Sequence, residues 1–90
     1  MWLNDGMKNL PLPPNGPGPV SSRIGAILRR HREQQHLSQE ATAKAAGLSP
    51  MGIHLIETNR RSPKIDTVER ICRALKTPMA VIMMEATLEG

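Results

Sequence analysis

From Ser21 onward the apolar residues recur at three- and four-residue spacing, and no run alternates with period two. That pattern belongs to amphipathic helices rather than to strands. Ile24, Ile27, Leu28 and His31 fall at i, i+3, i+4 and i+7 and predict a first helix, capped by Ser21-Ser22 and running to about Gln35. A second helix starts after Ser38, a favourable N-cap residue, and ends near Ala46; Gly47 suits the left-handed position just past its end. The third takes Ser49 as cap and Pro50 as its first residue, where a missing N–H costs nothing, and ends at Glu57 or Thr58. The fourth follows Pro63, with Ile65, Val68, Ile71, Cys72 and Leu75 on one face. Asp66 near its start and Arg73 and Lys76 near its end suit the helix dipole. The fifth opens at Thr77-Pro78 and turns Met79, Ile82 and Met83 inward.

Proline placement separates a different segment. Residues 1–20 hold Pro11, Pro13, Pro14, Pro17 and Pro19, five of the eight prolines, interspersed with Gly6, Gly16 and Gly18. Proline removes N–H donors and fixes φ, so this stretch reads as an extended, disordered arm. Trp2 and Leu3 give it apolar residues able to dock, and Asp5 and Lys8 cancel in charge. The expected organisation is an arm at 1–20, a folded domain at 21–86 and a short tail at 87–90.

Composition narrows the chemistry. With no Phe or Tyr, and Trp2 as the single aromatic, the core must be aliphatic. Ninety residues are too few to wrap a large enzyme pocket. Cys72, the one cysteine, has no partner for an internal disulfide and falls on the inward face of the fourth helix. His31, His36 and His54 lack metal-ligand spacing, and neither a glycine-rich phosphate loop nor a catalytic triad occurs. No enzyme activity, cofactor or metal is expected. No apolar run spans a membrane and no signal peptide opens the chain, so the expectation is a cytoplasmic, nucleoid-associated protein without membrane contact. The net charge of +4 is unevenly placed: residues 21–78 carry 11 Lys/Arg against 5 Asp/Glu, or +6, whereas residues 79–90 carry −2. The excess favours an acidic partner.

The second and third helices are joined by Ala46-Gly47-Leu48, a turn of the helix-turn-helix kind. Around it stand Leu37-Ser38-Gln39, Ala43, Gly47, Ile53, Ile56-Glu57, Pro63 and Leu75. With these spacings, residues 22–84 resemble the lambda-repressor-like, Xre/Cro-type helix-turn-helix DNA-binding family. The resemblance implies an all-α, five-helix domain. Ala43 is then small because the second and third helices cross closely there, and Leu48, Ile53 and Ile56 form the inward face of the third. It also implies that Arg32 pairs with Glu57 to tie the first helix to the recognition helix, and that Gln39 meets a phosphate and braces that helix.

The third helix would then lie in the major groove. With Ile53 and Ile56 inward, its outward positions are Pro50, Met51, Gly52, His54, Leu55 and Thr58, with Ser49 at the cap. This face departs from the usual readers of base edges, since it holds no Arg, Lys, Asn or Gln. Met51 and Leu55 suit thymine methyl groups, His54 suits guanine N7 or a phosphate, and Gly52 permits close backbone approach. Asn59, Arg60, Arg61 and Lys64 follow in a loop suited to phosphates. Arg23, Arg29 and Arg30 add long-range attraction. Thr42 and His31 stand where the family prefers aliphatic residues.

Members of the family commonly act as dimers on inverted repeats. Val81, Met84 and Leu88 remain apolar after the core is filled, which predicts a homodimer through the fifth helix. The function implied is a sequence-specific transcriptional regulator of operator DNA, repressor or controller in type, similar to restriction–modification controllers or phage Cro-type repressors. The alternative is an antitoxin that binds a toxin protein and represses its own operon.

Overall fold

The computed structural model describes residues 20–88. The expected arm, with Trp2 and Leu3, and the last two residues of the expected tail lie outside the described residues. Five helices follow in order: α1 Val20–Gln34, α2 Gln39–Ala46, α3 Pro50–Glu57, α4 Ile65–Ala74 and α5 Met79–Leu88. No strand occurs among the described residues. Helix α1 begins at Val20, so Ser21-Ser22 lie inside its first turn rather than at a cap. Helix α5 runs two residues past 86. Both differences lie at helix ends, where the terminal turn frays.

The core is aliphatic. Ile24, Ile27 and Leu28 of α1 meet Ala43 and Ala46 of α2, Ile53 and Ile56 of α3, Val68, Ile71 and Cys72 of α4, Leu75 just beyond it, and Ile82 and Ala86 of α5. Leu37, Leu48, Met79 and Met83 pack half-buried against its edge. Ile65 was expected on the inward face but is 60% exposed. As the first residue of α4 it lies one turn before Val68, past the end of the packed layer. Burial pushes the Cys72 thiol up from its usual range, which keeps it protonated and unreactive. Thr42 is also buried, and its hydroxyl oxygen has no hydrogen-bond partner.

One termination device recurs four times. His36, Gly47, Asn59 and Lys76 take φ between 54° and 71° just after α1, α2, α3 and α4. The next N–H in each case reaches back to a carbonyl five residues earlier: Leu37 to Arg32 at 3.2 Å, Leu48 to Ala43 at 2.8 Å, Arg60 to Leu55 at 2.8 Å and Thr77 to Cys72 at 3.0 Å. This is the Schellman arrangement, which satisfies carbonyls the helix leaves open. Only Gly47 adopts the left-handed conformation without a Cβ penalty. The four sharp ends keep the connections short and stack α2 against both α3 and α4.

Candidate nucleic-acid interface

Helices α2 and α3 start with matching caps. Ser38 Oγ accepts the Ala41 N–H and Ser49 Oγ accepts the Gly52 N–H, each at 2.9 Å. Such caps fix where each helix begins. They set Gln39 at the first turn of α2, and Pro50 and Met51 at the first turn of α3.

A buried ion pair fixes α3 against α1. Arg32 Nε donates to Glu57 Oε2 at 2.7 Å, and a terminal guanidinium nitrogen donates to Oε1 at 3.0 Å. The other terminal nitrogen donates to the Leu37 carbonyl at 2.6 Å. Hydrogen bonding to Glu57 raises the Arg32 pKa above its ordinary value, against the opposing effect of burial. Gln39 Nε2 donates to Glu57 Oε1 at 3.0 Å, so the same carboxylate holds the start of α2. The amide has two N–H groups, and one is left over for an outside acceptor.

Backbone proximity reinforces the pair. Gly25 of α1 is buried, and a Cβ at that position would overlap the Ile56 carbonyl of α3. Sequence reasoning passed over this glycine because nothing in its neighbourhood marks a turn. Its signal was a glycine inside a strongly periodic helix, which points to close backbone approach.

The remaining candidate residues divide by exposure. Pro50, Met51, His54 and Thr58 are on the outside of α3, with Met51 63% exposed. Ser49, Asn59, Arg60, Arg61 and Lys64 are exposed beside it. Two placements differ from expectation. Gly52 is buried: it sits four residues before Ile56 on the same helical face, beneath Ser49 Oγ and the Arg61 guanidinium. Leu55 is half-buried at the margin of the packed stripe, and its carbonyl accepts the Arg60 and Arg61 N–H groups at 2.8 and 3.1 Å. Ser49, Arg61 and Lys64 line one cleft of about 380 Å³, floored by Leu48 and Ile56. The cap of α3 and the cationic loop therefore share a surface.

The arginines of α1 are committed elsewhere. Arg23 Nε donates to the Ala86 carbonyl at 2.8 Å, Arg29 pairs with Glu33 at 3.2 Å, and Arg30 pairs with Glu85 at 2.7 Å. His31 is half-buried and reaches Glu85 at 2.8 Å. Hydrogen bonds from Arg30 first and His31 second hold the Glu85 carboxyl below the usual glutamate range. The Arg23, Arg30 and His31 contacts clamp α1 to α5, and Val81, Met84 and Leu88 lie outside, the last two 60% and 76% exposed. Among the described residues no group of His, Cys, Asp and Glu side chains is arranged to hold a metal, and no helix is long and apolar enough to cross a membrane.

Comparison with known proteins agrees with this geometry. A helix-turn-helix domain family matches residues 23–82. The ImmF control region 10 kDa protein of Bacillus phage phi105 is 32% identical over 62 residues, covering 69% of each chain. The HTH-type transcriptional repressor RghR of Bacillus subtilis is 36% identical over 64 residues, covering 70% of this chain and 47% of that one. Among solved structures, the clp gene regulator ClgR from C. glutamicum superposes with a TM-score of 0.75 at 24% identity, over 80% of this chain and 94% of that chain. The restriction–modification controller protein C.Esp1396I, solved as a tetramer with its natural 35 base-pair operator, gives a TM-score of 0.73 at 24% identity, over 80% and 95% of the two chains. At that identity the structures speak for the fold. With the family match spanning two thirds of the sequence, the chain belongs to the helix-turn-helix domain family of DNA-binding transcription regulators.

Proposed function

We propose that this chain regulates transcription by binding operator DNA as a homodimer, with α3 of each subunit in the major groove of one half-site. The observation that carries the reading is the cleft in which Ser49, the cap of α3, meets Arg61 and Lys64 of the following loop, while Gln39 at the start of α2 holds Glu57 at the end of the same helix. An outward helix lies in the groove while flanking cations and helix starts meet the phosphates on either side. Ser49 Oγ accepts within its own cap, and its hydroxyl hydrogen suits a phosphate oxygen. Asn59 lies exposed in the same loop.

Val81, Met84 and Leu88 stand at i, i+3 and i+7 on α5 and are the exposed large apolar residues of that helix. A self-complementary stripe of this kind suits a two-fold dimer, and methionine adapts well to such contacts. Two recognition helices about 34 Å apart then match half-sites one turn of DNA apart.

Selection of binding sites by the full chain from random duplex DNA tests the reading. Recovery of an inverted repeat bound about 10³-fold or more above random duplex supports it. Equal, salt-sensitive binding to all duplexes overturns it. Sedimentation of the Val81→Ser, Met84→Ser double variant alongside the parent tests the dimer, with a shift to monomer expected.

A further inference from the structure

The outer face of α3 offers little with which to tell bases apart by hydrogen bonding. Its first turn presents the Pro50 ring and the Met51 thioether; of the large apolar residues on this helix Met51 is exposed, Leu55 is half-buried, and Ile53 and Ile56 are buried. Thr58 has already given its hydroxyl hydrogen to the His54 carbonyl at 2.7 Å, which leaves a methyl group and a lone pair. His54, at mid-helix, carries the strongest hydrogen-bonding group of this face. The N-terminal residues of a recognition helix are the ones that reach base edges, so Met51 is placed where reading is done.

Thymine shows the major groove an O4 acceptor and a C5 methyl group, whereas cytosine shows an N4 donor and no methyl. An apolar side chain senses the methyl alone. 5-Methylcytosine carries that methyl at the same place on the ring. Distinguishing it from thymine requires a donor aimed at O4 or an acceptor aimed at N4. Methionine has no donor, and its sulfur accepts weakly. Its unbranched chain adapts to a methyl-sized target.

We propose that the first turn of α3, through Met51, reads a 5-methylpyrimidine rather than one particular base, so that 5-methylcytosine serves in place of thymine at the position it meets. Occupancy of a site with cytosine there then responds to methylation of that cytosine. The inference rests on the DNA-binding reading above and adds what the recognition helix recognises.

The experiment uses the full chain and duplex sites selected by it. Each pyrimidine of a half-site is exchanged singly, in two matched comparisons: thymine against uracil opposite adenine, and 5-methylcytosine against cytosine opposite guanine. Each comparison changes only a methyl group. At one position per half-site, loss of the methyl should weaken binding about four-fold, the equivalent of about 0.8 kcal/mol for one buried methyl-sized group. Met51→Ala should erase both differences at that position, and Met51→Leu should keep them. Uracil binding like thymine at every position, with 5-methylcytosine binding like cytosine, overturns the proposal while leaving DNA recognition standing. So does a methyl effect that survives in Met51→Ala. Failure of the selection to yield any preferred sequence overturns the DNA-binding reading and this inference with it.

Discussion

Gly25 of α1 lies directly against the Ile56 carbonyl of α3, so the orientation of the recognition helix depends on the absence of a side chain one helix away. The obstacle to a methyl group there is backbone, which cannot swing aside as a flexible side chain can. Gly25→Ala gains helix propensity of about 1 kcal/mol but must push α1 and α3 apart, and overpacking of a close-packed site costs about 1–3 kcal/mol. The expected net result is a less stable domain with weakened DNA binding. Urea unfolding checks the first and titration with a selected duplex checks the second. Unchanged stability and affinity would mean that the two helices do not touch at this point.

The Arg32–Glu57 pair makes a second prediction in which stability and binding separate. Removing one partner of a buried pair leaves the other charge unmatched, and Arg32→Ala should cost about 3–5 kcal/mol. Replacing both, as Arg32→Met with Glu57→Leu, removes the charges together and should restore much of that loss. The double variant still lacks the carboxylate that holds Gln39, so it should remain weak in DNA binding although folded. Unfolding curves for the two variants, set beside their DNA titrations, check the contrast.

What was legible in the sequence was local. Ser38, Ser49-Pro50 and Gly47 each act within a turn of their own position, and their residue types state their roles. Lys76 takes the same left-handed conformation as Gly47, yet nothing about its residue type announces it. There the packing of the helices on both sides imposes the turn and overrides local preference. Gly25 was missed because its reason lies in a partner 31 positions away, at Ile56. Setting Ile53 and Ile56 inward leaves Gly52 among the outward positions by elimination, although its four-residue spacing from Ile56 sets it on the buried face. Ile65 fits the helical period of α4, but period fixes direction only and says nothing of where the packed layer ends.

Thr42 provides the third test. Its side chain is 2% exposed and its hydroxyl oxygen is unpaired, so the fold carries the desolvation cost of a polar group without return. Thr42→Val keeps the branched shape and drops the hydroxyl. The expected gain is about 1 kcal/mol, which in a domain of this size raises Tm by roughly 4–8 °C. Calorimetry checks it, and a lowered Tm would show that the hydroxyl has a partner after all.

Acid should loosen the clamp between α1 and α5. The Glu85 carboxyl is held below its ordinary range by Arg30 and then by His31, so its folded pKa lies under its unfolded one. A depressed carboxyl contributes stability that is fully present above the unfolded pKa and is lost as pH falls through the folded value. Glu85→Gln should therefore be less stable than the parent at about pH 7, with the gap closing as the pH is lowered and vanishing below the Glu85 pKa. Unfolding at a series of pH values reads this directly. A gap that stays constant into acid would assign the loss to packing instead of charge.

The last prediction separates attraction from reading at the interface. Arg61 is exposed, lies over Gly52 and lines the cleft beside the α3 cap, a position suited to a phosphate rather than a base. Arg61→Ala should weaken binding to selected and random duplex alike and lower the slope of log affinity against log salt by about 1. His54 stands exposed in the middle of α3, away from the cationic loop in sequence. His54→Ala should leave the salt slope and the affinity for random duplex in place. Its loss should fall on selected sites, by about 1–3 kcal/mol if the ring makes a base contact. Equal losses on both kinds of duplex would move His54 to the phosphate backbone, and base reading on this helix would then rest on the methyl contact of Met51.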